Sequence, residues 1–156
     1  MRTATDKVGE DTFLPRDTSR SLPISLLRAR EAVMMRFRPL LASHDMTEQQ
    51  WRVIRMLAET SPLDASELAE RSCILAPSLT RIIKSLEERG LIRRERDDDD
   101  ARRALLSLNP AGYDLIRSVM PQSNAIYTRL EARYGHDKIE MLIDMLNELA
   151  ATRDCK

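Results

Sequence analysis

Residues 76–89 carry two kinds of side chain at helical spacing. Leu79, Ile82, Ile83 and Leu86 recur at i, i+3, i+4 and i+7, which places all four on one face about 100° wide. Pro77, Thr80, Arg81 and Lys84 fall on the opposite side, with Ser78 in the first turn. The chemistry such a face offers is recognition rather than bond making. An arginine can pair bidentately with guanine, and hydroxyl and ammonium groups can hold phosphates. Thr80 and Arg81 sit where base edges would be reached, while Ser78 and Lys84 suit phosphate oxygens. On an arbitrary surface helix the same cations would be solvated charges, so the reading depends on what surrounds the helix.

Other chemistry is harder to assemble. No nucleophile with a matching base and no Gly-rich phosphate loop can be picked out, which argues against an enzyme. His44 and His136 are far apart and have no Cys or carboxylate at ligand spacing, so neither a metal nor another cofactor is expected. The four aspartates at 97–100 lack the alternate spacing, the Gly and the distal Glu of a calcium loop. Cys73 and Cys155 are too few for a disulfide framework. Cys73 reads as a small buried residue at the end of a short helix, and a redox role there would need exposure and a depressed pKa. Cys155 falls in a tail expected to fray.

The elements that would position the 76–89 helix are legible from their ends. Residues 1–20 are polar and without period, as in a disordered or extended arm. A helix is expected from Pro23, with an apolar side through Leu26, Leu27, Val33, Met34, Phe37 and Leu41 and a last turn loosened at Pro39. Thr47 with Gln50 forms a capping box before Trp51, Ile54, Leu57 and Ala58, and Ser61-Pro62 stops that helix near Thr60. Asp64 with Glu67 repeats the box, flanked by Leu63 and Leu68 as a hydrophobic staple. This short helix ends near Arg71 or Ser72. Pro77 suits the first turn of the next helix, and Gly90 suits its stop. Two short helices with a tight connection make a helix-turn-helix.

Beyond Gly90, residues 91–96 and 102–108 read as two strands around an acidic loop, a β-hairpin wing. Residues 81–103 hold eight basic and seven acidic side chains, so this segment is nearly neutral, as is the whole chain with 25 of each sign. Four consecutive aspartates cannot approach phosphates, so the tip should point away from a nucleic acid or carry only a structural role, while Arg102 reaches the minor groove or its phosphates. A solvated hairpin that touches nothing is the alternative. Asn109 and Pro110 open a helix carried by Leu115, Ile116, Val119, Ile126 and Leu130 to about Tyr134, with a kink or break at Pro121 and a stop at Gly135. The last helix, about 137–152, has an apolar arc wider than a monomer's surface helix requires, which suggests a partner chain. At 156 residues, with 42% hydrophobic and 32% charged, the chain suits one mainly helical domain. No apolar run is long enough to span a bilayer and the N-terminus lacks a signal-peptide layout, so no membrane partner and a cytoplasmic location are expected.

The order of elements and several motifs resemble the MarR family of bacterial transcriptional regulators over residues 22–151. The motifs are Leu-Ala-Glu-Arg at 68–71, Ser-Leu-Thr-Arg-Ile-Ile at 78–83, Leu-Glu-Glu-Arg-Gly-Leu-Ile at 86–92, and Asp100-x-Arg102 followed by Leu-Ser-Leu and Pro-Ala-Gly. Within the family, Thr-Glu-Gln-Gln-Trp-Arg at 47–52 and Cys-Ile-Leu-x-Pro-Ser-Leu-Thr at 73–80 are most similar to repressors of homoprotocatechuate, or aromatic acid, degradation. The resemblance implies a mainly α fold with a small wing: a winged helix-turn-helix over about 47–108 and dimerisation helices over about 22–45 and 110–153. It implies a homodimer on a pseudo-palindromic DNA operator, released by a small aromatic acid. By the family pattern Asp100 holds Arg102 through a charge-assisted contact, with Arg103 beside it as a further DNA contact. For the effector, Arg28, Arg38, His44, Trp51 and Arg52 supply cations and an aromatic wall, although Trp51 also suits the core. A winged-helix module for protein contacts and a redox-responsive regulator using Cys73 remain the alternatives.

Overall fold

The computed structural model describes Pro15 and residues 17–152. Of the expected arm, Pro15 and residues 17–20 are described, and Thr18–Arg20 form a 3₁₀ turn capped by the Asp17 side chain. The rest of the arm and Cys155 lie outside the described residues. The chain divides into two units, Met1–Met35 and Arg36–Lys156, with the boundary inside the first long helix, α1 (Leu22–Ser43). In the first unit Leu22, Leu27 and Met35 are exposed, and the Arg28 guanidinium lies 3.5 Å from the Thr18 hydroxyl.

The second unit holds the remaining elements: α2 (Glu48–Glu59), β1 (Leu63–Asp64), α3 (Ala65–Ser72), α4 (Ala76–Glu88), β2 (Ile92–Arg96), β3 (Ala104–Leu108), α5 (Pro110–Tyr134) and α6 (His136–Ala151). Both expected capping boxes are formed. The Thr47 hydroxyl accepts the Gln50 N–H at 3.1 Å and the Asp64 carboxylate accepts that of Glu67 at 2.8 Å, each with the return bond in place. Gly90 takes the left-handed conformation at φ 70° that ends α4, and Gly135 at φ 109° separates α5 from α6. The core is built from Phe37, Leu40 and Leu41 at the end of α1, Val53, Ile54 and Leu57 of α2, and the α4 face Leu79, Ile82, Ile83 and Leu86. Leu63 and Leu68, the expected staple, are buried, and so are Leu106 and Leu108 of β3.

Several expectations need correction. The wing is part of a three-stranded antiparallel sheet in the order β1-β3-β2, with Leu63 opposite Leu106 on one side of β3 and Arg94 opposite Leu106 on the other. Two residues of strand show no periodicity, so β1 is invisible to pattern reading. No break occurs at Pro121, and α5 runs unbroken for 25 residues. Asn109 precedes α5 without a side-chain cap bond. Its amide instead donates to the carbonyls of Gly90 at 3.0 Å and Ile92 at 3.2 Å, tying the start of α5 to the base of the wing. Ala58 is exposed while Val53 takes its place in the α2 core.

Candidate nucleic-acid interface

The sequence from Ala65 to Glu88 folds into two helices joined by residues 73–75, and each end of the joint is fixed. The Ser72 hydroxyl, fully buried, donates back to the Leu68 carbonyl. Cys73 closes α3 in the left-handed region at φ 52°, and its N–H reaches the Ala69 and Glu70 carbonyls. It is exposed rather than buried, because the left-handed turn swings its side chain off the packed face of α3. Ile74 then returns to the core. With this turn set, α4 buries its four apolar residues and leaves Pro77, Thr80, Arg81 and Lys84 exposed, as the spacing requires; Ser78 is half-buried.

The outer face of α4 is less uniformly polar than its sequence suggests. The Thr80 hydroxyl donates to the Ala76 carbonyl at 3.1 Å, so its one donor is used inside the helix. Lys84 lies 3.9 Å from Glu88, an exposed pair of little energetic weight. Arg81 has no hydrogen-bond or ion-pair partner among the described residues. At the far end of the helix Arg89 donates to the Asp45 carbonyl at 2.8 Å and the His44 carbonyl at 3.4 Å, anchoring α4 to the corner between α1 and α2. A second tie runs from the Gln50 amide to the Ser85 hydroxyl at 3.2 Å.

The wing sorts its arginines into two sets. Arg93 pairs with Glu95 at 2.8 Å and donates to the Leu108 carbonyl; Arg94 pairs with Glu87 of α4 at 3.1 Å. Arg103 meets three carboxylates: Asp64 at 2.7 Å, Glu67 at 3.3 Å and Asp97 at 3.8 Å. Its neighbour Arg102 suggests a shared role on DNA, but the Arg103 guanidinium is directed at the start of α3. Arg96 and Arg102 have no such partner among the described residues. The carboxylate of Asp100 does meet Arg102, at the backbone N–H at 3.0 Å rather than at the guanidinium, so it shapes the turn and leaves the side chain of Arg102 uncommitted. Four of the seven acidic residues in this segment, Glu87, Glu88, Glu95 and Asp97, are thus engaged by neighbouring cations. The Glu67 N–H holds the Asp64 carboxyl below the usual carboxylate range, and Arg103 adds to that shift.

The candidate ligand residues are dispersed among several contacts. In the second unit Glu48 lies between two of them, 3.4 Å from Arg38 and 3.1 Å from Arg52. Arg52 also donates to the Ser72 carbonyl at 2.9 Å, linking α2 to the end of α3. The His44 Nδ1 faces the Leu40 carbonyl at 3.0 Å, which assigns the proton of a neutral ring to Nδ1. Trp51 is half-buried, neither wholly core nor free. Arg28 belongs to the first unit, beside Thr18. Sequence reasoning misses Glu48 beyond its place in the 47–52 motif; a carboxylate four residues before Arg52 on one helix is the signal that could have found it. Among the described residues no group of His, Cys, Asp and Glu is placed to hold a metal ion.

Two short helices in tight succession, the second presenting a cationic face beside an antiparallel hairpin, define a winged helix-turn-helix regulator. The MarR family profile matches residues 46–104. The homoprotocatechuate degradative operon repressor of Escherichia coli is 42% identical over 131 residues, covering 84% of this chain and 88% of that protein. The chain belongs to the MarR family. Among solved structures, NadR in complex with 4-hydroxyphenylacetate is 41% identical with a TM-score of 0.77, over 88% of this chain and 98% of that one. The repressor CouR, bound to a 23-mer DNA duplex, is 28% identical with a TM-score of 0.77, over 85% and 94% of the two chains. These relatives are transcriptional regulators rather than enzymes.

Proposed function

We propose that the chain is a repressor that binds a pseudo-palindromic operator as a homodimer in the cytoplasm and is released by a small aromatic acid. The observation that carries the DNA reading is the uncommitted Arg81 on the exposed face of α4, in a helix held at its far end by Arg89. In this reading Arg81 pairs with a base edge, Ser78 and Lys84 hold phosphates, and Pro77 and Thr80 lie against the groove. Arg102 serves the flanking DNA from the wing, Asp100 shapes its turn, and Arg103 fixes the wing to α3 rather than touching DNA. Two recognition helices of a dimer would occupy half-sites roughly 34–36 Å apart or a multiple of that.

The effector reading is supported by the kinship with a homoprotocatechuate operon repressor and with a regulator that binds 4-hydroxyphenylacetate. Arg28, Arg38, His44 and Arg52 are the cations available to a carboxylate, and Trp51 is the aromatic wall. Release would follow from the ligand favouring a dimer whose helix spacing no longer fits the operator. A salt-titrated gel shift with the promoter region of its own gene, with and without 4-hydroxyphenylacetate and homoprotocatechuate, tests both parts. Binding that weakens with salt and is reversed by one of the acids is expected. No binding at any salt concentration overturns the repressor reading, and binding indifferent to both acids overturns the aromatic-acid reading.

A further inference from the structure

The leading end of α4 departs from two local rules at one residue. Leu75 occupies the N-cap, where Ser, Thr, Asp or Asn would bond a free N–H of the first turn, and it makes no side-chain cap bond. Its side chain is 80% exposed, the most of any large hydrophobic residue among those described. The backbone on either side is fixed. Ile74 is buried with its N–H on the Ala69 carbonyl at 3.1 Å, and the Leu75 carbonyl accepts the Leu79 N–H at 2.9 Å. The leucine is therefore held in water by a chain that cannot turn it inward.

The residues after it continue the theme. Ala76 and Pro77 are exposed, Pro77 has no N–H, and the donor of Thr80 is spent on the Ala76 carbonyl. Before Arg81 only Ser78 keeps a side-chain donor. A surface meant to read base edges by hydrogen bonds would not begin this way. A surface meant to read an apolar group would.

We propose that Leu75, with Pro77 beside it, is a specificity-determining residue that reads the 5-methyl group of thymine in the major groove of duplex DNA. The proposal rests on the DNA-binding reading above. Thymine is the base whose major-groove edge carries an apolar group, and recognition helices meet bases with their N-terminal residues. Lys84, farther along the same helix, holds phosphates on this side, and Arg81, between Leu75 and Lys84, pairs with a neighbouring base edge. Covering one methyl with an exposed leucine corresponds to about a fourfold gain in affinity.

Duplexes enriched from a random pool by the full-length protein, with each thymine replaced singly by deoxyuridine, provide the test. The wild type should lose about fourfold at one or more thymines per half-site. Leu75→Ala should bind the thymine and uracil duplexes equally there, and Leu75→Ser should do the same while supplying the missing cap. An equal loss in wild type and both variants at every thymine overturns the proposal, as does a wild type that loses nothing at any. A variant that changes solution mass while keeping the wild-type thymine sensitivity also overturns it and gives Leu75 to a protein contact. Failure to enrich any duplex removes the DNA-binding reading itself, and this proposal with it.

Discussion

Arg102 and Arg103 are adjacent in sequence and have opposite surroundings. The guanidinium of Arg102 has no partner among the described residues, while that of Arg103 is enclosed by Asp64, Glu67 and Asp97. Arg102→Ala should lower operator affinity and reduce the salt slope by about 0.9 for each phosphate that the guanidinium neutralises. Arg103→Ala should leave that slope unchanged while lowering the melting temperature; equal slopes for the two variants would erase the distinction. Asp64 gives the matching pH dependence. Its carboxyl is held down first by the Glu67 N–H and then by Arg103, so its contribution is present above the ordinary carboxylate value and is lost as pH falls through its own lower value. Thermal melts from about pH 5 to pH 2 should show Asp64→Ala less stable at the start, by about 1 kcal/mol for the missing cap, and losing less than the wild type across that window. The capping role of Asp64 is readable from the four-residue pattern it shares with Glu67. Its pairing with Arg103 spans 39 residues and follows from β3 lying between β1 and β2, a topology that no local pattern carries.

At the level of elements, the start of α5 against the base of the wing is the tightest joint. A Cβ built at Gly112 would lie 2.6 Å from the Leu91 carbonyl oxygen and 3.1 Å from a Leu108 methyl, whereas one at Gly90 would meet nothing within 4 Å. Gly112→Ala should therefore destabilise by about 2 kcal/mol or more, because backbone must shift to admit it. Gly90→Ala should lose only about 1 kcal/mol, the cost of a side chain in the left-handed region. Urea unfolding of the two variants would settle the order; equal losses would mean that α5 can slide off the wing without penalty. The difference between these glycines illustrates what sequence reveals. Gly90 ends an apolar period and announces a helix stop. Gly112 sits inside a helical stretch, and the constraint on it comes from Leu91 and Leu108, which reach it from outside its own helix. The same reasoning accounts for the helices, whose boxes and periods are local, and for the missed β1, whose two residues are strand only through their pairing with Leu106 and Leu105 of β3. The exposed face of α4 is legible from spacing, but the commitment of Thr80 to its own helix is not.

For the whole molecule, α6 poses the largest question of packing. None of its residues is buried, and Met141, Leu142, Ile143, Met145, Leu146 and Leu149 are exposed. Such a contiguous apolar surface is costly in water and expected at a subunit interface. Leu142→Glu combined with Leu146→Glu should halve the solution mass in analytical ultracentrifugation and weaken operator binding through loss of the second half-site. A variant that keeps the wild-type mass would place the interface elsewhere. In the proposed function, operator binding also depends on how α4 is mounted. Its trailing end is riveted by Arg89 to the carbonyls of Asp45 and His44, and its leading end carries an uncapped leucine. At a rise of about 1.5 Å per residue the helix is a lever of about 20 Å. A tilt of about 10° about the Arg89 rivet sweeps its leading end by about 3 Å, as far as the length of a hydrogen bond. On the proposed reading, a small rotation at the corner between α1 and α2 is therefore geared up into the loss of base contacts at the opposite end of the helix.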